Sequence, residues 1–447
     1  MLGETEMKRI AQAVLNASRA DQTEVEVFAN NSALTRFANN YIHQNVENTD
    51  VDVRVRAVIG KKIGVASTNE LSSDALANVA TRAYEIAGRQ RENEDFRSLP
   101  GPAPAPPVDA FVERTARCGP EERAAVVGAI CEASRQAALT AAGTFHTTAQ
   151  EMAVANSLGV FCFHRETQAD ATAVIMSETS SGYSARVSGD AGDIDGESMA
   201  QEAIDRALRG VNPMTVEPGD YEVILEPYAV TDLLDFFGFV SFGAQAYLEK
   251  RSFMSGRIGE KVMGDSVSIW DDARSPATIP MAFDYEGAPK QRVTFIEDGI
   301  ARGVAWDSYT ANKQGGDTRS TGHALPAGNT FGPIPLHMFM APGDATRDDM
   351  IKNTKRGIWV SRFWYTRTVH PLNVVVTGMT RDGTFLVEDG RVVGPVRDLR
   401  FTQGYVEALN HVDQIGREAV LLNGEAGLRH VPALKLARWT FTGVKEM

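Results

Sequence analysis

Cysteine is scarce in this chain and histidine is scattered. The three cysteines, Cys118, Cys131 and Cys162, are too few to staple a protein of 447 residues. A secreted disulfide scaffold is therefore excluded, and reduced thiols in a cytoplasmic protein are expected. There is no Cys-x-x-Cys. The eight histidines are His43, His146, His164, His323, His337, His370, His411 and His430, no two closer than 14 residues. No pair can share a helix face, and the His-Glu-x-x-His pattern of zinc peptidases is absent. Glycine-rich phosphate loops and the Gly-x-Ser-x-Gly nucleophile elbow are also missing. The N-terminal segment lacks a basic start and a continuous apolar core, so no export signal is expected. The most apolar stretch, residues 233–247, is broken by Asp235 and is shorter than the roughly 18 residues a bilayer span requires. Positive charge is in deficit: 45 Lys and Arg stand against 58 Asp and Glu, a net charge of −13. That balance argues against direct nucleic-acid binding.

What remains is an ordinary globular mixture, 43% apolar and 23% charged, long enough for about three domains. Residues 6–20 carry Ile10, Val14 and Leu15 on one stripe and read as an amphipathic helix. Val-rich alternating segments follow up to residue 68, with Asn-Asn and Gly-Lys-Lys turns between them, and read as strands. Residues 73–90 read as a second helix, with Asp74 as its cap. Five prolines between Pro100 and Pro107 mark a stiff linker that cannot join a core. Beyond it the order recurs: helix over 120–137, strands to about residue 179, helix over 197–210. Residues 13–19 match 129–135 and residues 37–40 match 154–157 at nearly one offset, which suggests a duplicated helix–sheet–helix unit.

The back half differs. Residues 221–225 read as a strand leading into a helix over 228–249, apolar on almost every side and so expected to be buried. Asp235 on it needs a partner. Strands dominate thereafter, with two Asp-Gly hairpins, Phe295-Ile296-Glu297-Asp298-Gly299 and Leu386-Val387-Glu388-Asp389-Gly390. Residues 315–328 form a long polar loop of the kind that often carries function. The fold class expected is α+β: two similar helix–sheet–helix units, then a β-rich C-terminal domain with one buried helix. The expected domains are 1–99, linker 100–107, 108–216 and 217–447.

Read in order, several segments resemble the TldD/PmbA family, also called modulator of DNA gyrase proteins, and its PmbA (TldE) side in particular. They are Val25-Glu26-Val27, Ala155-Asn156-Ser157-Leu158-Gly159, Tyr247-Leu248-Glu249-Lys250-Arg251-Ser252-Phe253, Phe283-Asp284-Tyr285-Glu286-Gly287, Ser320-Thr321-Gly322-His323-Ala324 and the run from Phe385 to Pro395. The resemblance implies a cytoplasmic metallopeptidase system whose TldD-type subunit binds zinc through His-Glu-x-x-x-His on the helix after residues 221–225. Here Asp235 and Phe236 stand at the His-Glu positions and Val240 at the second His; the distal Cys ligand is missing too. The expectation is a non-zinc subunit, with no cofactor of its own, that pairs with a zinc-bearing TldD-type partner or with itself and holds extended peptides. No membrane or nucleic-acid partner is expected. Ser320, Thr321, Gly322 and His323 are the candidate peptide-groove residues. The alternatives are a zinc hydrolase with distant ligands such as His323, His337 or His370, and a homodimeric peptide- or protein-binding module without catalysis.

Overall fold

The computed structural model describes residues 1–444. The front half runs α1 (Glu4–Ala17), β1 (Gln22–Ala38), β2 (Tyr41–Ile59), β3 (Lys62–Thr68), α2 (Ser73–Arg89), α3 (Glu113–Ala116), α4 (Pro120–Gln136), β4 (Thr140–Asn156), β5 (Phe161–Met176), β6 (Ser181–Ser188) and α5 (Gly196–Arg209). The back half runs β7 (Gly219–Leu225), α6 (Pro227–Val240), α7 (Ala244–Leu248), β8 (Ile269–Asp271), β9 (Val293–Glu297), β10 (Ile300–Ala301), α8 (Ser308–Gln314), β11 (His337–Met340) and α9 (Arg347–Lys352). It continues with β12 (Arg356–His370), β13 (Val375–Glu388), β14 (Arg391–Pro395), β15 (Leu399–Gly404), α10 (Tyr405–Leu409), β16 (Val412–Gly424) and β17 (Gly427–Val444). No helix among the described residues is long and apolar enough to cross a membrane.

The repeated order in the sequence becomes a symmetric sheet. Its strands lie in the order β3-β2-β1-β4-β5-β6, with β1 and β4 antiparallel at the centre. The two helix–sheet–helix units are thus joined edge to edge in one six-stranded sheet. Each packs its helices over a separate apolar cluster, around Met7, Val27 and Val79 in one and Ile130, Phe145 and Met199 in the other. Ser72, not Asp74, caps α2: its hydroxyl accepts from the Ala75 amide, because a cap must precede the first helical residue.

In the back half, β17, β15, β13, β12 and β7 form a ring closed by a β17–β7 pairing, and β8 to β11 extend it outward. Trp439, Phe401 and Phe363 fill the ring with mutual aromatic contacts, Phe363 stacked on Trp439 and Phe401 edge-on to it. Both Asp-Gly hairpins are present: Asp298, Gly299, Asp389 and Gly390 all take positive φ, as a tight turn demands. The expected helix over 228–249 is two helices. The chain breaks at Ser241–Gly243, where a Cβ on Gly243 would lie 2.2 Å from the Pro333 carbonyl oxygen. Nor is α6 buried all round. Leu233, Leu234 and Phe237 are sealed in the core, but Phe239 is exposed. Each sealed side chain contributes about 1.5–3 kcal/mol, enough to hold one face of α6 without closing the other.

Candidate functional site

Pro227 starts α6 at a position where a missing amide hydrogen costs nothing. Asp232 and Asp235, one turn apart, share a face of that helix. Asp235 is nearly fully buried. Its Oδ1 lies 2.9 Å from Nε of Arg429, and its Oδ2 accepts from the Glu425 amide at 2.9 Å. Arg429 is sealed from solvent and donates its remaining nitrogens to the carbonyls of Leu428 and Ala426, both at 3.0 Å. Burial pushes the Asp235 carboxyl up, and the guanidinium only partly offsets this. Asp232 accepts from Tyr405 Oη at 2.6 Å and Thr366 Oγ1 at 2.7 Å. Burial pushes it up to about 7 despite those bonds. Phe236 meets the Tyr405 ring edge-on, and Val240 packs against the core. Of the three expected motif positions, one offers a metal donor, and that donor is already paired with a cation.

Asp232 and Asp235 line a cleft of about 280 Å³ between the front and back halves. It adjoins a second cleft of about 540 Å³, with Ala185, Arg186, Tyr228 and Leu422 common to both. Together they make a trough between β6 on one side and α6 and β16 on the other. Its wall is a charge network. Arg186 pairs with Glu202 at 2.6 Å, and Arg206 bridges Glu202 and Glu226. Tyr228 Oη donates to Glu202 at 2.9 Å and accepts from the Ala185 amide at 3.2 Å. Burial, reinforced by Glu202, pushes the Tyr228 phenol up to about 12, so it remains a donor at neutral pH. Arg206 also donates to the Tyr183 carbonyl at 2.9 Å. The outward backbone of β6 is thereby engaged by side chains. The trough offers length, hydrogen-bonding groups and both signs of charge, which suit an extended peptide.

The polar loop of residues 315–328 lies elsewhere, and the structure corrects its expected role. His323 is 0% exposed. Its ring nitrogens meet Thr321 Oγ1 at 2.9 Å and Asp271 Oδ1 at 3.0 Å, so it cannot line an open groove. Thr321 and Ser320 are half-buried and both donate to the Trp306 carbonyl. Gly322 has a φ of +76°, and a Cβ there would lie 2.4 Å from the Pro289 carbonyl oxygen. Its close approach is to the chain's own backbone, not to a ligand. Further on, the Ala327 amide donates to Glu26 of β1 at 2.7 Å. From Gly322 to Ala327 the loop is a seam between the back half and the front sheet.

The histidines do not gather. His323 is paired with Asp271, His337 borders a small cavity between the halves, and His370 ends β12 on the surface. Among the described residues no group of three His, Cys, Asp or Glu side chains is placed to hold a metal ion. Sequence reasoning missed Arg429, Tyr228, Arg186, Glu202 and Arg206. Only the Glu202–Arg206 spacing of one helical turn was legible; the other pairs join distant elements.

Three family models cover most of the chain: "PmbA/TldA metallopeptidase domain 1" over residues 23–87, the "central domain" over 118–211 and the "C-terminal domain" over 218–443. A protein named "Metalloprotease" from Methanothermobacter thermautotrophicus is 23% identical over 397 residues, covering 84% of this chain and 83% of that protein. "Metalloprotease PmbA" of Escherichia coli O157:H7 is 23% identical over 462 residues, covering 97% of each. The crystal structure of TldE from Thermococcus kodakarensis superposes with a TM-score of 0.88 at 20% identity, covering 98% of this chain and all of that one.

Proposed function

The chain belongs to the PmbA/TldD metallopeptidase family, and from that membership we propose that it is a TldE/PmbA-like member, a subunit that binds no zinc of its own. It pairs with a zinc-bearing TldD-type partner in the cytoplasm, and the pair holds and cleaves extended peptides. The observation that carries this reading is the buried Asp235–Arg429 pair on the helix where the family's zinc ligands are expected. The residues there do not fit the metal. Zinc takes three or four thiolate, imidazole or carboxylate donors. Phe236 and Val240 have none, and the Arg429 guanidinium would repel a dication from the remaining carboxylate. The contribution left to this chain is positional: the trough beside α6 can hold and orient a peptide without performing chemistry on it.

Reconstitution tests the reading. Peptide turnover is expected when the chain is mixed with the TldD-type subunit of the same genome, and none from the chain alone. Turnover by the chain alone would overturn it in favour of an independent hydrolase. A mixture no faster than the TldD-type subunit alone would favour a separate binding module.

A further inference from the structure

Where β4 and β5 pair, Gln150 stands opposite Glu166 and Met152 opposite His164. Side chains alternate along a strand, so these four and Gln168 share one face of the front sheet. In the back half, His337 of β11 pairs with Leu428 of β17. These residues line a cavity of about 140 Å³ between the two halves, close to the roughly 150 Å³ that admits benzene. Much of the remaining wall is apolar and includes Ile279 and Met281. Ile279 and Leu428 pack in one cluster with Leu421 of the trough, so an apolar layer divides the cavity from the trough.

The cavity holds hydrogen-bonding capacity that the chain leaves unused. His337 is 8% exposed. Its backbone amide donates to Asp271 Oδ2 at 2.7 Å, but among the described residues its ring Nδ1 has no hydrogen-bond partner. Buried polar groups are nearly always paired, so an unpaired one calls for an explanation. Burial, against the pull of Asp271, holds the ring down at about 4. His337 is therefore neutral at physiological pH and offers a lone pair. The two cations that act on it have partners of their own: Arg429 is paired with Asp235, and Lys290 is supported by Asp271 and Asp284.

Glu166 is the wall's only side chain with a fixed charge among the described residues. It meets His164, whose Nε2 lies 3.1 Å from its Oε2, and among those residues no Lys or Arg is ion-paired with it. Its field reaches across the wall: burial, reinforced by Glu166, pushes the Tyr285 phenol up. Gln150 and Gln168 add two side-chain carbonyls to the same wall. The cavity thus gathers a carboxylate, a neutral imidazole and amide oxygens, all able to accept, beside an apolar surface.

We propose that this cavity binds a primary ammonium on a short aliphatic body: Glu166, His337 and the carbonyl of Gln150 or Gln168 accept from the ammonium, and the carbon chain lies along Ile279, Met281 and Leu428. An ammonium has three donors and no acceptor, so a wall of acceptors admits it and rejects a carboxylate of the same length. A metal ion is a poorer occupant. It draws its donors to about 2 Å, and among the described residues no three His, Cys, Asp or Glu side chains are placed to hold one. Charge-assisted hydrogen bonds span about 2.7–2.9 Å. A free small amine and the lysine side chain of a peptide share this chemistry. The site is separate from the trough and does not depend on the zinc-free reading.

Calorimetric titration of the full chain with pentylammonium tests it, at physiological ionic strength so that the acidic surface is screened. Binding of about one equivalent is expected, with pentanol about tenfold weaker or more and pentanoate not bound. Glu166→Gln and His337→Phe should each weaken pentylammonium about tenfold or more. Thermal melts are the folding control, and His337→Phe should melt no lower than the wild type, because the group it removes is unpaired. Nα-acetyl-lysine amide separates the two sources: competition with pentylammonium assigns a peptide's lysine side chain, and its absence assigns a free amine. A chain that does not bind pentylammonium would overturn the proposal, as would equal binding of pentanoate or an amine affinity unchanged in both variants.

Discussion

At the scale of single residues, the Asp235–Arg429 pair decides what the α6 face can do. Both groups are buried, and each is further hydrogen-bonded to backbone, Asp235 by the Glu425 amide and Arg429 to two carbonyls. Removing one member strands the other without compensation, which typically costs about 3–5 kcal/mol. Arg429→Met should therefore lower the melting temperature strongly. Replacing both members with apolar residues, Asp235→Leu with Arg429→Met, should recover most of the loss. A single variant that melts like the wild type would mean that the pair contributes little. The sequence announced half of this: a lone carboxylate on an apolar helix must find a partner. It could not say which, because Arg429 lies on β17 and reaches α6 only through the closed ring of the back half.

At the scale of elements, the seam between the front sheet and the back half is built from carboxylates. Glu24 and Glu26 of β1 face Asp284 and Glu286 of the back half, with Arg56 of β2 ion-paired to both Glu24 and Glu286 at 3.2 Å. Burial is the main cause that pushes Glu24 up to about 8 and Glu26 and Asp284 up to about 7. The folded chain then holds protons that the unfolded chain releases near its ordinary carboxylate values. Stability from these groups is complete below about pH 4 and is lost as pH rises through 7 to 8. Asp271 acts in the opposite sense. Burial would raise it, but His323 and Lys290 hold it at about 2, so its contribution is present above about pH 4 and lost towards pH 2. Melts across pH 4–9 should therefore fall on the alkaline side, and Glu24→Gln should flatten that fall. A melting temperature that rises from pH 5 to pH 8 would contradict the seam's assigned role. The elements joined by the seam were legible from periodicity, from the Asp-Gly turns and from the repeated helix–sheet–helix order. The seam itself was not. Its groups are far apart in the chain, and the polar loop at residues 315–328 reads from sequence as an exposed surface although its part from Gly322 to Ala327 is clamped between the halves.

At the scale of the whole molecule, a six-stranded sheet and a closed β-rich half enclose a trough. The α+β class and the family were legible because both rest on order along the chain. That α6 carries no histidine was legible in the sequence; that Arg429 of β17 pairs with Asp235 there emerged only from the fold. The central claim is that this chain holds no zinc of its own, and elemental analysis tests it most directly. The measurement is made on the purified full chain after exposure to excess zinc and exhaustive dialysis. The account predicts zinc far below one equivalent, unchanged in Asp235→Asn. A full equivalent of tightly held zinc, lost in that variant, would contradict it.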